Sequence, residues 1–142
     1  MDVERNKASM RRVFEEGFSQ GRVEVVHECL APDAEDHHDF APGQDFRDHL
    51  AGIITMLRGA MPDLRADVED LVAEGDRVAA RVTLTGTYTG EPFGATQPQG
   101  QRVRVEQFHI VQFDDEARGV RHWANVDEAG LFAQLGADTV PV

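Results

Sequence analysis

The segment GDRVAARVTLTGTYTGEPFG, residues 75–94, constrains the fold more than any other part of the chain. Val78, Ala80, Val82 and Leu84 alternate with Arg77, Ala79, Arg81, Thr83 and Thr85, the period of a strand with one buried and one wetted face. Gly86 and Gly90 follow, letting the backbone turn or bulge where a side chain would obstruct it. A strand that runs into a glycine-punctuated segment near Phe93 points to an enclosed pocket rather than a flat binding face.

The rest of the chain supplies what such a strand needs. Residues 65–73, 77–88, 102–113 and 118–126 read as strands, with turns at Glu74-Gly75-Asp76 and Asp114-Asp115-Glu116. Ahead of them, Met10, Val13, Phe14, Gly17 and Phe18 recur at helical spacing, predicting a helix over residues 6–20 that Gly21 ends. A short helix is expected over 22–30, carried by Val23, Val26 and Leu30 and stopped by Pro32. The polar stretch DAEDHHDF at 33–40 separates it from a third helix over 45–60, in which Phe46, Leu50, Ile53, Ile54 and Leu57 fill one face. A closing helical segment is expected over 128–136, and the tail beyond it has little to hold it. Helices gathered before an antiparallel meander predict an α+β domain with the sheet curled over the helices. The 142 residues fit one domain spanning 1–142, large enough for a single core.

Charge narrows the function. A formal net charge of −12 repels a phosphate backbone, so neither nucleic acid nor an anionic membrane is an expected partner. No apolar run approaches the roughly 18 residues of a membrane span, and no signal peptide precedes the first helix, so the cytoplasm is the expected compartment. The lone Cys29 excludes an internal disulfide and reads as a quiet buried thiol.

Three histidine clusters carry the candidate chemistry: Asp36-His37-His38-Asp39, Glu106-Gln107-Phe108-His109, and the run from His122 through Trp123 and Asn125 to Asp127. His109 shares a strand face with Val103, Val105 and Val111, so its imidazole is either a hydrogen-bonded core group or lines a cavity. Glu106 lies on the opposite face with Phe108 and Ile110, as an interface or cross-strand partner. On the last strand Arg121, Trp123, Asn125 and Asp127 share one face, and His122, Ala124 and Val126 the other. A carboxylate near an amide and an indole suits a polar corner of an apolar pocket, where Asp127 would serve as acid or base. Asp127 equally suits the N-cap of the helix that begins at Glu128, and the two roles are compatible. Adjacent His37 and His38 in an extended segment point to opposite sides, so no metal site is expected there, although one of them can reach the pocket. Nucleophile-elbow, P-loop and dinucleotide fingerprints do not occur.

Taken together, AEDHHD at 34–39, the Pro62-Asp63-Leu64 run, residues 69–94, His109 and VRHWANVDEAGLFAQLG at 120–136 resemble the SnoaL-like polyketide cyclase (ester cyclase) family of the NTF2-like superfamily. The resemblance implies an NTF2-like α+β cone, in which a curved antiparallel sheet wraps N-terminal helices around an apolar cavity. It also implies a homodimer built through the sheet and chemistry without a cofactor or metal. Members that cyclise polyketides close a ring by intramolecular aldol condensation, an Asp acting as acid/base with a His near it. Carried onto this chain, the resemblance makes Asp127 the general base and His109 the proton or hydrogen-bond donor to an enolate, with Trp123 packing a small hydrophobic substrate. His122, Asn125, His37, Phe14 and Tyr88 are the remaining substrate-binding candidates. In an alternative placement the family acid aligns just after Trp123, where this chain has Ala124 and lacks the family base; QPQGQ at 97–101 and Arg121 are further departures. Two other readings fit the same cone: epoxide opening by water held among Arg121, Asn125 and Asp127, and a non-catalytic binding module that tolerates loss of Asp127 and His109.

Overall fold

The computed structural model describes residues 2–38 and 44–136. Helix α1 (Val3–Arg12) starts earlier than its apolar stripe, because the Asp2 carboxylate accepts from the backbone N–H groups of Glu4 and Arg5. It continues as a π-helical turn, Val13–Phe18, that buries Val13, Phe14, Gly17 and Phe18. A Cβ on Gly17 would lie 3.4 Å from both Ile54 and Val25, so the small residue lets the first helix pack closely on two others. Next come α2 (Glu24–Cys29), β1 (Leu30–Asp36), α3 (Phe46–Ala60), β2 (Arg65–Glu74), β3 (Arg77–Tyr88), β4 (Gln101–Phe113), β5 (Gly119–Val126) and α4 (Glu128–Gln134).

The strands form one five-stranded sheet in the order β1-β5-β4-β3-β2. β2 to β5 pair antiparallel as neighbours, while β1 joins β5 in parallel. β1 is the element that the apolar pattern does not announce. Its sequence LAPDAED places Pro32 and several carboxylates on an edge strand, with a register shift between Leu30 and Glu35. An edge strand tolerates both, since only one side must complete a ladder. Asp39, Phe40 and the tail beyond 136 lie outside the described residues.

Alternation gives the sheet two unlike faces. Ala66, Val78, Ala80, Val82, Leu84, Val103, Val105 and Val111 are buried on the inner face, against Met10, Phe14, Phe18, Ile54 and Leu57 of the helices. The Arg58 guanidinium locks this packing, donating to the carbonyls of Phe18, Ser19, Pro62 and Leu64 and tying the first helix, the end of α3 and the start of β2 together. Below α3, the loop after β3 approaches so closely that Gly90 N–H donates to the Ala60 carbonyl, and a Cβ there would collide with the Gly59 carbonyl.

Candidate active site

Pairing register decides which side chains meet. His109 on β4 lies opposite Ala80 of β3 and Ala124 of β5, two small residues that leave room for its ring on the inner face. His122 lies two pairs further along, opposite Val111 on one side and Asp36 of β1 on the other. The rings of His109 and His122 stack at 5.1 Å. Phe14 packs on His109 at 5.0 Å and Phe46 stacks on His122 at 5.5 Å, so aromatic groups from two helices clamp the pair.

A continuous hydrogen-bond chain runs through these groups. Asp36 Oδ1 meets His122 Nδ1 at 2.8 Å, His122 Nε2 meets His109 Nδ1 at 2.9 Å, and His109 Nε2 meets Gln107 Oε1 at 2.9 Å. The His38 backbone N–H also donates to Asp36 Oδ1, at 3.1 Å. The His38 ring sits edge-on to His122, with Nδ1 at 3.1 Å from the Ala124 carbonyl and Nε2 at 3.3 Å from the Glu128 carboxylate. Strand alternation sorts the acidic-histidine motif itself: Asp36 and His38 turn inward, while Glu35 and His37 turn outward.

The relay opens on a cavity of about 70 Å³. Its walls include Met10, Phe14, Phe18, Phe46, Leu50 and Val111, and the imidazoles of His109 and His122 are its polar groups together with Ser9. Burial pushes the His109 pKa down to about 3, the charges of His122 and His38 push the same way, and Asp36 opposes them. His109 is therefore a neutral imidazole at neutral pH. Cys29 also borders the cavity, and burial raises its thiol pKa, so it stays protonated.

Of the residues singled out in the sequence, His109, His122 and Phe14 come together at this cavity. Trp123 and Asn125 do not: the register that sets His109 beside Ala124 turns them to the outer face, opposite Ile110 and Phe108. There the Trp123 ring stacks on the exposed His37 at 5.3 Å and lies 5.0 Å beneath the Arg77 guanidinium. Asp127 is exposed and caps α4, accepting from Gly130 N–H at 2.8 Å. Arg121 pairs with Gln112 and Glu35 on the outer face. Tyr88 is fully buried, but its hydroxyl holds the loop after β3 through Phe93 N–H and Thr96. Asp36 and Gln107, which stand inside the histidine clusters but are given no role by the sequence, and Phe46, read there only as part of a helix face, complete the site. Gln107 carried a usable signal, standing two residues before His109 and so on the same strand face. Among the described residues, no group of three His, Cys, Asp or Glu side chains is placed to hold a metal ion. No helix among them is long and apolar enough to cross a membrane.

Helices packed in a curved five-stranded sheet around an apolar, histidine-bearing cavity define a small-molecule-binding α+β domain of the NTF2-like fold. The chain belongs to the SnoaL-like polyketide cyclase family, whose model matches residues 8–135. Solved structures agree. TsrD from Streptomyces laurentii is 26% identical with a TM-score of 0.83, covering 96% of this chain and 98% of that one. IdmH from Streptomyces antibioticus, a proposed polyketide cyclase, is 30% identical with a TM-score of 0.76, over 93% of this chain and 99% of its own. AclR from Streptomyces galilaeus, a proposed hydroxylase, is 26% identical with a TM-score of 0.80, over 99% and 87%. No curated protein sequence matches the chain.

Proposed function

We propose that this protein is a cofactor-independent cyclase or isomerase of an enolisable carbonyl compound, and that the Asp36–His122–His109 relay moves the proton. The observation that carries this reading is the unbroken chain of hydrogen bonds from a carboxylate to an imidazole on the wall of an apolar cavity. Family membership supports a cyclase- or isomerase-type activity on a small molecule.

The chemistry follows from two states of the relay that differ by one proton. In the first, His109 Nε2 bears a lone pair, His109 Nδ1–H donates to His122 Nε2, and His122 Nδ1–H donates to the Asp36 carboxylate. Nε2 takes a proton from carbon next to the substrate carbonyl, and the C–H electron pair becomes the enolate. The Nδ1 proton passes to His122, whose imidazolium is then paired with Asp36. For ring closure, the enolate carbon attacks a second carbonyl of the same molecule. A C–C bond forms, the C=O π pair becomes an alkoxide, and the alkoxide takes the proton back from His109 Nε2. For isomerisation the proton returns to a different carbon. Holding both carbonyls in one dry cavity supplies the positioning that aldol closure needs.

This scheme moves the base from Asp127, whose carboxylate caps a helix on the surface, to the relay, and keeps His109 as the donor. It also gives Ala124 a role: this small residue, paired with His109, makes space for its ring. A cavity of about 70 Å³ is roughly half the 150 Å³ or so that takes benzene, so Phe14, Phe46 or Leu50 must swing aside for a ring-sized ligand.

Deuterium exchange tests the reading. A panel of polycyclic aromatic esters and steroid-like ketones, incubated with the protein in D2O, should show exchange at the carbon next to the carbonyl for at least one class. His109→Gln should abolish that exchange while leaving the circular dichroism spectrum unchanged. A protein that binds panel members with no exchange would be a ligand-binding module instead. The outer face supports one further proposal, a homodimer. Val72, Ala79, Ile110 and Trp123 form a row across four strands, and Val72, Phe108 and Ile110 are exposed.

A further inference from the structure

Every ring nitrogen of the relay already has a partner, and the partners dictate where its protons lie. Gln107 presents its carbonyl oxygen to His109 Nε2, and an amide oxygen only accepts, so Nε2 carries the hydrogen. Burial beneath Phe14 keeps His109 neutral, with one hydrogen and a lone pair on Nδ1. His122 Nε2 must then donate across the 2.9 Å contact to His109 Nδ1. At its other end His122 Nδ1 faces Asp36 Oδ1, an oxygen that also accepts the His38 backbone N–H. On this assignment both nitrogens of His122 carry hydrogen, which makes it an imidazolium paired with the Asp36 carboxylate. Among the described residues, the groups facing His122 are Asp36 and His38 from the β1 side, Phe46 from α3 and His109 from β4, with Glu128 of α4 reaching it through His38. Turning the Gln107 amide end for end reverses the two hydrogen bonds made by His109, keeps His122 Nδ1–H donating to Asp36, and leaves one proton fewer.

We propose that Gln107 is a positioning residue: its carbonyl oxygen holds the ligand-free relay in the proton-loaded form and occupies the His109 nitrogen that a substrate oxygen must take over. The resting site offers a bound substrate an N–H group, and abstraction of a carbon-bound proton waits until His122 has given up its own. A merely structural Gln107 would have no such influence on a ring two hydrogen bonds away. The kinetic half rests on the relay chemistry proposed above; the assignment of protons does not.

The test reads the protons directly, in ligand-free protein labelled with 15N-histidine at pH 7. Single His→Gln variants assign the signals of the chain's six histidines. In the wild type, His109 should be protonated at Nε2 alone and His122 at both nitrogens. Gln107→Met, which keeps the length but has no carbonyl, should leave His122 singly protonated and move the His109 hydrogen to Nδ1. Gln107→Glu, which keeps an acceptor, should restore the wild-type pattern. A wild-type His122 with one hydrogen overturns the proposal, as does a folded Gln107→Met protein whose His122 keeps both. Should neither variant fold, the wild-type spectrum alone decides. Where exchange activity is found, the acid limb of its pH profile should move to lower pH in Gln107→Met. Absence of exchange for every substrate would remove the cyclase reading and leave the proton pattern standing.

Discussion

The two faces of the sheet use polar groups in opposite ways. On the outer face Arg81 bridges Asp70 and Glu106 across three strands, each charge partly in water. On the inner face Asp36, His122, His109 and Gln107 are stacked into one chain, shielded by Phe14 and Phe46. The outer pairs are local, replaceable and screened by salt. The inner chain is neither: each member's protonation depends on the next, and losing one strands its neighbour in low dielectric. The proposed function draws on that difference, because only the shielded chain can hold a proton at a chosen atom beside an apolar cavity.

Breaking the inner chain should have the largest effect. His122→Phe fills the space but leaves the Asp36 carboxylate without its imidazole, and a loss of roughly 3–5 kcal/mol is expected in urea unfolding. All exchange activity should disappear with it. Acid sharpens the same contrast. The unfolded chain protonates His109 near pH 6.5 whereas the folded protein resists until about 3, so the unfolded state binds more protons between these values. Stability contributed by neutral His109 is therefore complete above about pH 6.5 and falls as pH drops toward 3, by several kcal/mol at about 1.4 kcal/mol per unit. Chemical denaturation across this range should show a clearly shallower slope in His109→Gln.

Changes on the outer face should leave the cavity intact. Replacing both Phe108 and Ile110 by Ser should shift sedimentation toward monomer, with exchange activity per folded chain altered less than about twofold. A wild-type protein that sediments as a monomer would remove the dimer proposal. The smallest effect is expected for Arg81→Ala, under about 1 kcal/mol and shrinking further at high salt, measured by the urea midpoint at two ionic strengths.

Much of the fold was legible because its cause is local. Residues 77–88 alternate so regularly that the predicted strand and β3 coincide, and the third helix needed only its apolar spacing and the Asp45 cap. β1 escaped because its ladder is closed by β5, far along the chain, and its own carboxylates give no apolar period. The site was legible by halves. His109 stood out as an imidazole among valines on one strand face. Trp123 and Asp127 drew the expected pocket to the face of β5 that lies away from the cavity, since an indole near a carboxylate looks like a binding corner until the pairing with β4 is known.

The sequence by itself determined which residues share a face, because backbone geometry sends successive side chains to opposite sides whatever the rest of the chain does. It also determined the family, through motifs spread over residues 8–135. Which face encloses the cavity was decided only by tertiary structure, where the helices pinned by Arg58 cover one side of the sheet. The relay was decided there too: Asp36 and His122 are 86 residues apart in the chain, and no local interaction foretells that a parallel edge strand brings a carboxylate to 2.8 Å from an imidazole.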